Sequence, residues 1–513
     1  MGYLIGIDIG TSSTKTILFD LAGGIIESAT DVYPMYQPRN GWAEQDPDDW
    51  WNAVITTVSE VITKSKIDAK EIKGIGLSGQ MHGLVMLDKS GVPIRKSIIW
   101  CDQRTALECE QITELVGAEK LIEITANPAL TGFTASKIMW IKNNEPENYA
   151  KCAKILLPKD YIRYKLTGEF ATEVSDASGM QLLDVPNRKW SAYVLDKLGI
   201  DEALLGKVYE SPEVTGTVTS EAAALCSLAA GTPVVGGAGD QAASAIGNGI
   251  VKRGVVSATI GTSGVVFAHL DSVAIDKQGR VHTFCHAVPG AWHIMGVTQA
   301  AGLSFKWFRD NFMTDEKYTA EQLGTDPNII ADKIAATSPA GANGLIYLPY
   351  LMGERTPHLD ADCRGVFFGL SAMHEKKDML RAVLEGVVFS MNDCLNIIRE
   401  MGSSPDSIYA AGGGANSALW RQIMADIMGV EIAVNNSTDS GALGVAILAG
   451  VGTGVYKDVA SACEQIIKKR DSQSYNAANK DLYEEMYKIY QSLYASLKRD
   501  FADLAKINRK FFI

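Results

Sequence analysis

The sequence predicts an α/β protein of two similarly built halves with a ligand cleft between them. Three observations lead there. A strand running into Gly-Thr-Ser occurs twice, as Leu4–Ile9 before Gly10-Thr11-Ser12 and as Val255–Ile260 before Gly261-Thr262-Ser263, about half a chain apart. At 513 residues the chain is too long for a single hydrophobic core. The first copy opens a hairpin that is followed by a helix and then a lone strand, a mixed order rather than continuous βαβ winding.

In chain order, Tyr3–Ile9 and Lys15–Phe19 read as strands around the first turn, and Asp20 to Gly24 as the next turn. Asp46-Pro47 opens a helix predicted over 48–64, because Asp caps and Pro suits the first turn. A strand over Ile72–Leu77 ends in Ser78-Gly79-Gln80-Met81-His82-Gly83. Further on, Thr232–Val235 is a buried strand, Gly236-Gly237-Ala238-Gly239 a turn, and Asp240–Gly247 a short helix. Gly247-Asn248-Gly249 suits a hinge, so the halves are divided near 248 into 1–248 and 249–513. The second half repeats the hairpin, then has helices over Leu303–Phe312 and Asp378–Arg399, and a strand over Ile408–Ala411 that enters Gly412-Gly413-Gly414. The last helix, 482–504, carries an apolar stripe of Leu482, Met486, Ile489, Leu493, Leu497, Phe501 and Leu504. Packing on its own half is the expected use of that stripe, and a homodimer seam the alternative.

A net charge of −12 argues against nucleic acid and anionic membranes as partners. It also means that an anionic ligand must be met by local donors and a cation. No stretch reaches the ~18 apolar residues of a membrane span. Eight cysteines without a CxxC pair suit reduced thiols. A cytoplasmic location is expected.

A Gly-Thr-Ser turn leaving a buried strand is a good phosphate cradle, because bare backbone N–H groups and two hydroxyls can point at one anion. Asp8, at the strand end before the first cradle, can hold Mg²⁺ directly or through water; a local turn hydrogen bond is its plainer use. Lys15 either adds positive charge to a bound phosphate or faces solvent. Asp240 opens a helix after a glycine-rich turn, where it can serve as an N-cap, as a base for a substrate hydroxyl attacking a phosphoryl group, or as both. Met81 and His82 can contact a sugar, and Trp100 can wall one or lie buried in a core. Gly413 and Gly414 leave room for a nucleoside to lie flat. Gly237 to Ala242 matches a relaxed GxGxxG/A dinucleotide fingerprint, but Asp240 would repel a pyrophosphate and the later acidic residue is missing. There is no GxxxxGK[ST] P-loop. His282, Cys285, His286 and His293 make a weak zinc pattern that no carboxylate completes.

Longer motifs carry a family resemblance. Gly132 to Asn144 and the stretch from Gly365-Val-Phe-Phe-Gly369 through Asp378 to Glu385 resemble the patterns of the FGGY carbohydrate kinases. Ser78–Gly83, Leu157-Pro-Lys-Asp-Tyr161 and Gly353-Glu-Arg-Thr-Pro-His358 are similar to the branch acting on D-xylulose. The resemblance covers residue 1 to about 450. It implies a two-domain actin-like ATPase fold, each domain with a ribonuclease H-like core, binding a small sugar and ATP in the cleft. It also implies Asp240 as catalytic base and Asp8 as a carboxylate near Mg²⁺. Met81 and His82 would contact the sugar, with Asp240 and Gln241 at the same site. Thr11, Ser12, Ser13 and Lys15 would line the first phosphate loop, Gly261 and Thr262 the second, and Gly413 and Gly414 the adenosine. Gln241 departs from the Asn usual in that branch and matches glycerol-acting members, so ribulose, sedoheptulose and glycerol stay open as acceptors, beside a non-catalytic actin-like sugar sensor.

Overall fold

The structure, a computed structural model, describes residues 2–511. Two mixed sheets form its frame. The first contains β1 (Tyr3–Ile9), β2 (Ser13–Asp20), β3 (Ile25–Val32), β4 (Ile72–Gly79), β5 (Val214–Thr217), β6 (Pro233–Val235) and β7 (Ala238–Gly239). Its order is β5-β6-β4-β1-β2-β3, with β7 pairing β4. The second contains β8 (Val255–Ile260), β9 (Gly264–Leu270), β10 (His282–Cys285), β11 (Trp292–Thr298), β12 (Ser407–Ala411), β13 (Ile432–Asn435) and β14 (Lys469–Gln473). Its order is β10-β11-β9-β8-β12-β13-β14. In both sheets the strand before the Gly-Thr-Ser turn lies between an antiparallel hairpin partner and a parallel strand. The duplication predicted from the turns is therefore a duplication of sheet topology.

Strand alternation decides what reaches the cleft. On β1, Ile5, Ile7 and Ile9 point into a core shared with Trp50, Val54 and Val58 of α1 (Pro47–Ser65). Leu4, Gly6 and Asp8 therefore lie on the opposite face. The same holds on β4, where Ile75 and Leu77 are core and Gly74, Gly76 and Ser78 share the other face. That second face is covered by two helices packed on each other, α2 (Asp240–Gly247) and α5 (Ser440–Gly452). Although α5 comes from the second half, it lies on the first sheet. A Cβ on Gly6 would overlap the carbonyl of Ala442, and one on Gly76 would overlap that of Val445. The glycines of β1 and β4 thus give the helix its seat, and the residue after them on the same face, Asp8 or Ser78, meets the helix's N-terminal end.

Around the second sheet, α3 (Gly302–Phe312) follows β11, and α4 (Lys376–Glu400) runs through the core with Leu380, Val383, Leu384, Val387, Val388 and Met391 buried. α4 begins in a reciprocal capping box between Glu375 and Asp378. The last helix, α6 (Ala477–Phe511), corrects the predicted stripe. Leu482, Ile489 and Leu504 are exposed, whereas Tyr483, Tyr490 and Tyr494 join Met486, Leu493 and Phe501 in the core. The reason is polar satisfaction. Tyr483 donates to Glu385 at 2.6 Å, Tyr494 donates to Asp360 at 2.9 Å, and Tyr490 shares a 3.1 Å bond with Tyr350, so these large rings bury without orphaned hydroxyls. A stripe drawn from aliphatic residues leaves them out.

Candidate active site

An acid cluster stands where the helix pair meets the first sheet. Asp8 accepts a 2.7 Å hydrogen bond from Ser78, its neighbour on β4. A Cβ on Gly441, in the first turn of α5, would come within 2.9 Å of Asp8 Oδ2, so the helix end abuts the carboxylate. Burial and the nearby charge of Asp439 push the Asp8 carboxyl up, against the Ser78 bond and Lys15. Lys15 is ion-paired with Asp439. Asp240 is also within electrostatic reach of Asp8.

Asp240 is the first residue of α2, and Gly239 occupies the cap position. Its carboxylate is therefore not used as an N-cap for the helix. It is held instead by the backbone and side chain of Gln241. The residue is half-buried. The dense protein around it and the negative charge of Asp8 push its carboxyl up to about 7. A carboxyl of this kind is about half ionised at neutral pH, and its ionised form is basic enough to accept a proton. The turn before it is fixed from below. Arg163 donates to the Gly236 carbonyl at 2.8 Å, and the Ser175 hydroxyl accepts from the Gly239 N–H at 3.2 Å. Beneath them Lys159 is fully buried among Asp160, Glu173 and Asp176, with ion-pair distances of 2.8–3.3 Å. This is the place of the Leu157–Tyr161 motif.

Met81 is buried against Gly239; a Cβ there would lie 2.8 Å from its Cγ, so Met81 sits one residue from Asp240. His82 follows with φ of 69°, a left-handed conformation uncommon outside glycine and one that clusters at functional sites. Its Nδ1 is 2.9 Å from the Gly179 carbonyl. Burial and the Lys137 charge push the imidazole down to about 3, so the ring is neutral, Nδ1 carries the proton, and Nε2 is left as an acceptor. Trp100 is 43% exposed, which overturns the buried-core alternative, and its indole N–H donates to Thr11 Oγ1 at 2.9 Å.

The first turn is braced from outside. The Gly10 carbonyl accepts from Tyr33 at 2.6 Å and from Gln80 at 3.2 Å, and the Thr11 carbonyl accepts from Gln45 at 2.6 Å. Gly10 N–H closes the turn onto Ser13 at 2.9 Å, and Ser12 is exposed. The second turn closes through Gly261 N–H onto Ser263 at 3.0 Å and abuts the start of α3, where Gly302 donates to the Gly261 carbonyl at 2.9 Å. Gly261, exposed Thr262, Gly413 and Gly414 line one cavity of about 460 Å³ with Lys306, Arg309, Asp332 and Trp420. Gly412, at φ of 76°, and Gly414 press on Ile260, but a Cβ on Gly413 would meet nothing within 4 Å. Packing therefore does not demand glycine at 413, whereas a ligand lying against its backbone would.

The structure thus brings Asp8, Met81, His82, Asp240 and Gln241 to one wall, places Thr11, Ser12, Ser13, Lys15 and Trp100 beside it, and gathers the second-half glycines around a separate cavity. Sequence reasoning missed Ser78, Asp439 and Gly441. The signal for the last two was Asp439-Ser-Gly-Ala442 at the head of an apolar helix, but only the fold shows that this helix crosses to the first sheet. The four residues of the zinc pattern lie in the interior near β10 and β11. His282 Nδ1 meets Asn127 Oδ1 at 2.8 Å, and His286 Nε2 meets the Ile250 carbonyl at 3.0 Å.

Two sheets of one topology, with a Gly-Thr-Ser turn at the same point in each, define the two-domain α/β frame of the actin-like ATPase fold. The chain matches the FGGY family of carbohydrate kinases, N-terminal domain over residues 3–247 and C-terminal domain over residues 256–453, and belongs to that family. It is 38% identical to a xylulose kinase of Bacillus subtilis (strain 168), over 97% of this chain and 98% of that one. It is 37% identical to a xylulose kinase of Escherichia coli (strain K12), over 95% and 99%. A ligand-bound xylulose kinase from Lactobacillus acidophilus superposes with a TM-score of 0.91, at 28% identity, covering 98% of this chain and 100% of that one. No helix among the described residues is long and apolar enough to cross a membrane.

Proposed function

We propose that this carbohydrate kinase transfers the γ-phosphoryl group of ATP to the terminal hydroxyl of D-xylulose, giving D-xylulose 5-phosphate and ADP. The observation that carries the reading is Asp240: a carboxyl raised to about 7, free of capping duty, one residue from Met81 and within reach of Asp8. The names of the relatives at 37–38% identity supply the sugar.

In this reading Met81, the neutral His82 and Gln241 orient the sugar so that its terminal hydroxyl meets Asp240, which takes the proton as the oxygen attacks phosphorus. Trp100 walls the mouth. The turns at Gly10–Ser13 and Gly261–Thr262 offer N–H and hydroxyl donors to the phosphates, and Gly413 and Gly414 border the adenosine. Mg²⁺ fits the donor set: Asp8, Asp240 and Asp439 crowd one another's charge with Lys15 as counterion. Asp8 would hold the ion together with water and phosphate oxygens, the usual manner for Mg²⁺. When bound, the ion supplies charge neutralisation at the phosphates. Closure of the two sheet-bearing parts over the ligands excludes the water that would otherwise accept the phosphoryl group.

The test is an ADP-release assay across D-xylulose, D-ribulose, sedoheptulose and glycerol, with the phosphorylated product identified by mass. D-Xylulose should give the highest kcat/KM. A higher value for another acceptor reassigns the substrate, and sugar-stimulated ADP release without a sugar phosphate replaces the kinase reading with an ATP-driven sensor.

A further inference from the structure

The motif Gly353–His358 takes no part in the chemistry above, yet it sets a charge from the second half within electrostatic reach of His82 in the first. Its backbone is tied to the end of β11. Thr356 N–H donates to the Val297 carbonyl at 3.0 Å, its hydroxyl accepts from Val297 N–H at 3.2 Å, and the same hydroxyl donates to the Arg280 carbonyl at 2.8 Å. Glu354 accepts from Gln299 N–H at 2.8 Å and from Ser390 at 3.0 Å. Met295 and Val297 of β11 share one apolar cluster with Met81 and Phe133 of the first half. The loop is therefore anchored beside the wall that carries Met81 and His82.

Arg355 stands between these two anchors. It is half-buried, and its guanidinium has no hydrogen bond or ion pair among the described residues. Glu354, next in the chain, is the carboxyl whose charge acts on Arg355, but it makes no ion pair with the guanidinium among the described residues. Its carboxyl is occupied by two backbone N–H groups and Ser390, and burial pushes it up to about 8, so it is mostly protonated at neutral pH. The charge of Arg355 reaches His82 of the first half and His282 of the second, whereas the charge acting on Asp240 is that of Asp8. The two imidazoles are linked through Phe133, whose ring lies 4.9 Å from His82 and 5.8 Å from His282. A half-buried guanidinium without protein partners keeps its donors free, and its planar fork matches two neighbouring acceptor oxygens.

We propose that Arg355 reads the carbonyl end of the acceptor sugar, donating to the ketone oxygen and a hydroxyl beside it while Asp240 holds the other end. The proposal rests on the reading of the Met81–His82–Asp240 wall as the sugar site. It makes Arg355 a specificity-determining residue that favours a ketose over the polyol of the same length, supplied by the half opposite to the base.

The experiment compares wild type with Arg355→Met, Arg355→Lys and Asp240→Asn, using D-xylulose and xylitol as acceptors. Calorimetric titration of D-xylulose without nucleotide gives Kd, and steady-state assays give KM and kcat. Removing a charged donor pair should weaken D-xylulose binding about 10- to 100-fold in Arg355→Met. KM for ATP should stay unchanged and the preference for D-xylulose over xylitol should collapse. Arg355→Lys, which keeps the charge without the fork, should fall between. Arg355→Met should also melt no lower than wild type, since its guanidinium has no protein partner to lose; a lower melt with normal sugar affinity marks a merely structural arginine and overturns the proposal, as does a Kd within twofold of wild type. If Arg355→Met fails to fold, the Arg355→Lys titration decides by the same twofold criterion. Asp240→Asn separates the two readings: it should bind D-xylulose and not turn it over, and normal turnover would overturn the site reading itself whatever Arg355 does.

Discussion

Replacing Asp240 with asparagine tests the centre of the site through stability as well as rate. Burial and the Asp8 charge push the carboxyl up to about 7 in the folded protein from an ordinary value of 3.8. An acid raised in this way keeps its proton in the folded state over a range where the unfolded chain has already lost it. Stability is therefore unaffected below about pH 4, declines as pH rises toward 7, and stays at the lower level above. At about 1.4 kcal/mol per tenfold, the full span amounts to about 4 kcal/mol. Asp240 opens partly to the solvent-filled cleft, so screening reduces the expected effect to about 2 kcal/mol. Asp240→Asn removes the ionisation and should recover that amount. In thermal melts of the metal-free, nucleotide-free protein, wild type and variant should coincide near pH 4, and the variant should melt higher at pH 8. In the assay the variant should lose roughly 10²-fold or more in kcat, the usual scale for a lost general base. Wild-type kcat/KM should fall tenfold per pH unit below an acid limb near 7. An acid limb below pH 5, or a variant that melts lower than wild type at pH 8, would refute the reasoning.

Asp8→Asn should cut kcat and, by removing the charge that helps raise Asp240, should move the acid limb of kcat/KM to lower pH, read from the residual activity. Gly6→Ala drives a Cβ into the Ala442 carbonyl and should destabilise by roughly 1–3 kcal/mol or more, measured by denaturant melts. Gly413→Ala faces open space, so its melt should match wild type while KM for ATP rises about tenfold and KM for D-xylulose stays fixed. Trp100→Ala should shift stability by no more than about 0.5 kcal/mol because the ring is half exposed, and should raise KM for the sugar several-fold; a large loss of stability would make Trp100 a packing residue instead.

The sequence makes the strands and helices near the turns legible because their signals are local. Asp240–Gly247 is helical over the predicted span, and the strand over Tyr3–Ile9 has the predicted bounds. Acidic residues before glycine-rich turns are readable for the same reason. The relation of α5 to Asp8 is not, since residues some 430 positions apart meet through glycines whose meaning depends on which helix lies over them. The pairing of Lys15 with Asp439 follows from that contact and is equally hidden. Tyrosine carries the error on the last helix: its hydroxyl counts as polar in a pattern, yet Glu385 and Asp360 were waiting inside to accept from it.

The glycine seam under α5 also sets where the acids stand. With the helix backbone seated on β1 and β4 and packed against α2, the acids Asp8, Asp240 and Asp439 are carried by elements on the first sheet. Gly413, Gly414 and Arg355 lie with the second sheet. In the proposed reaction the seam sets the acid centre to which the phosphate donor is brought, so a mutation that loosens it should blunt catalysis without touching any residue proposed to meet sugar or ATP.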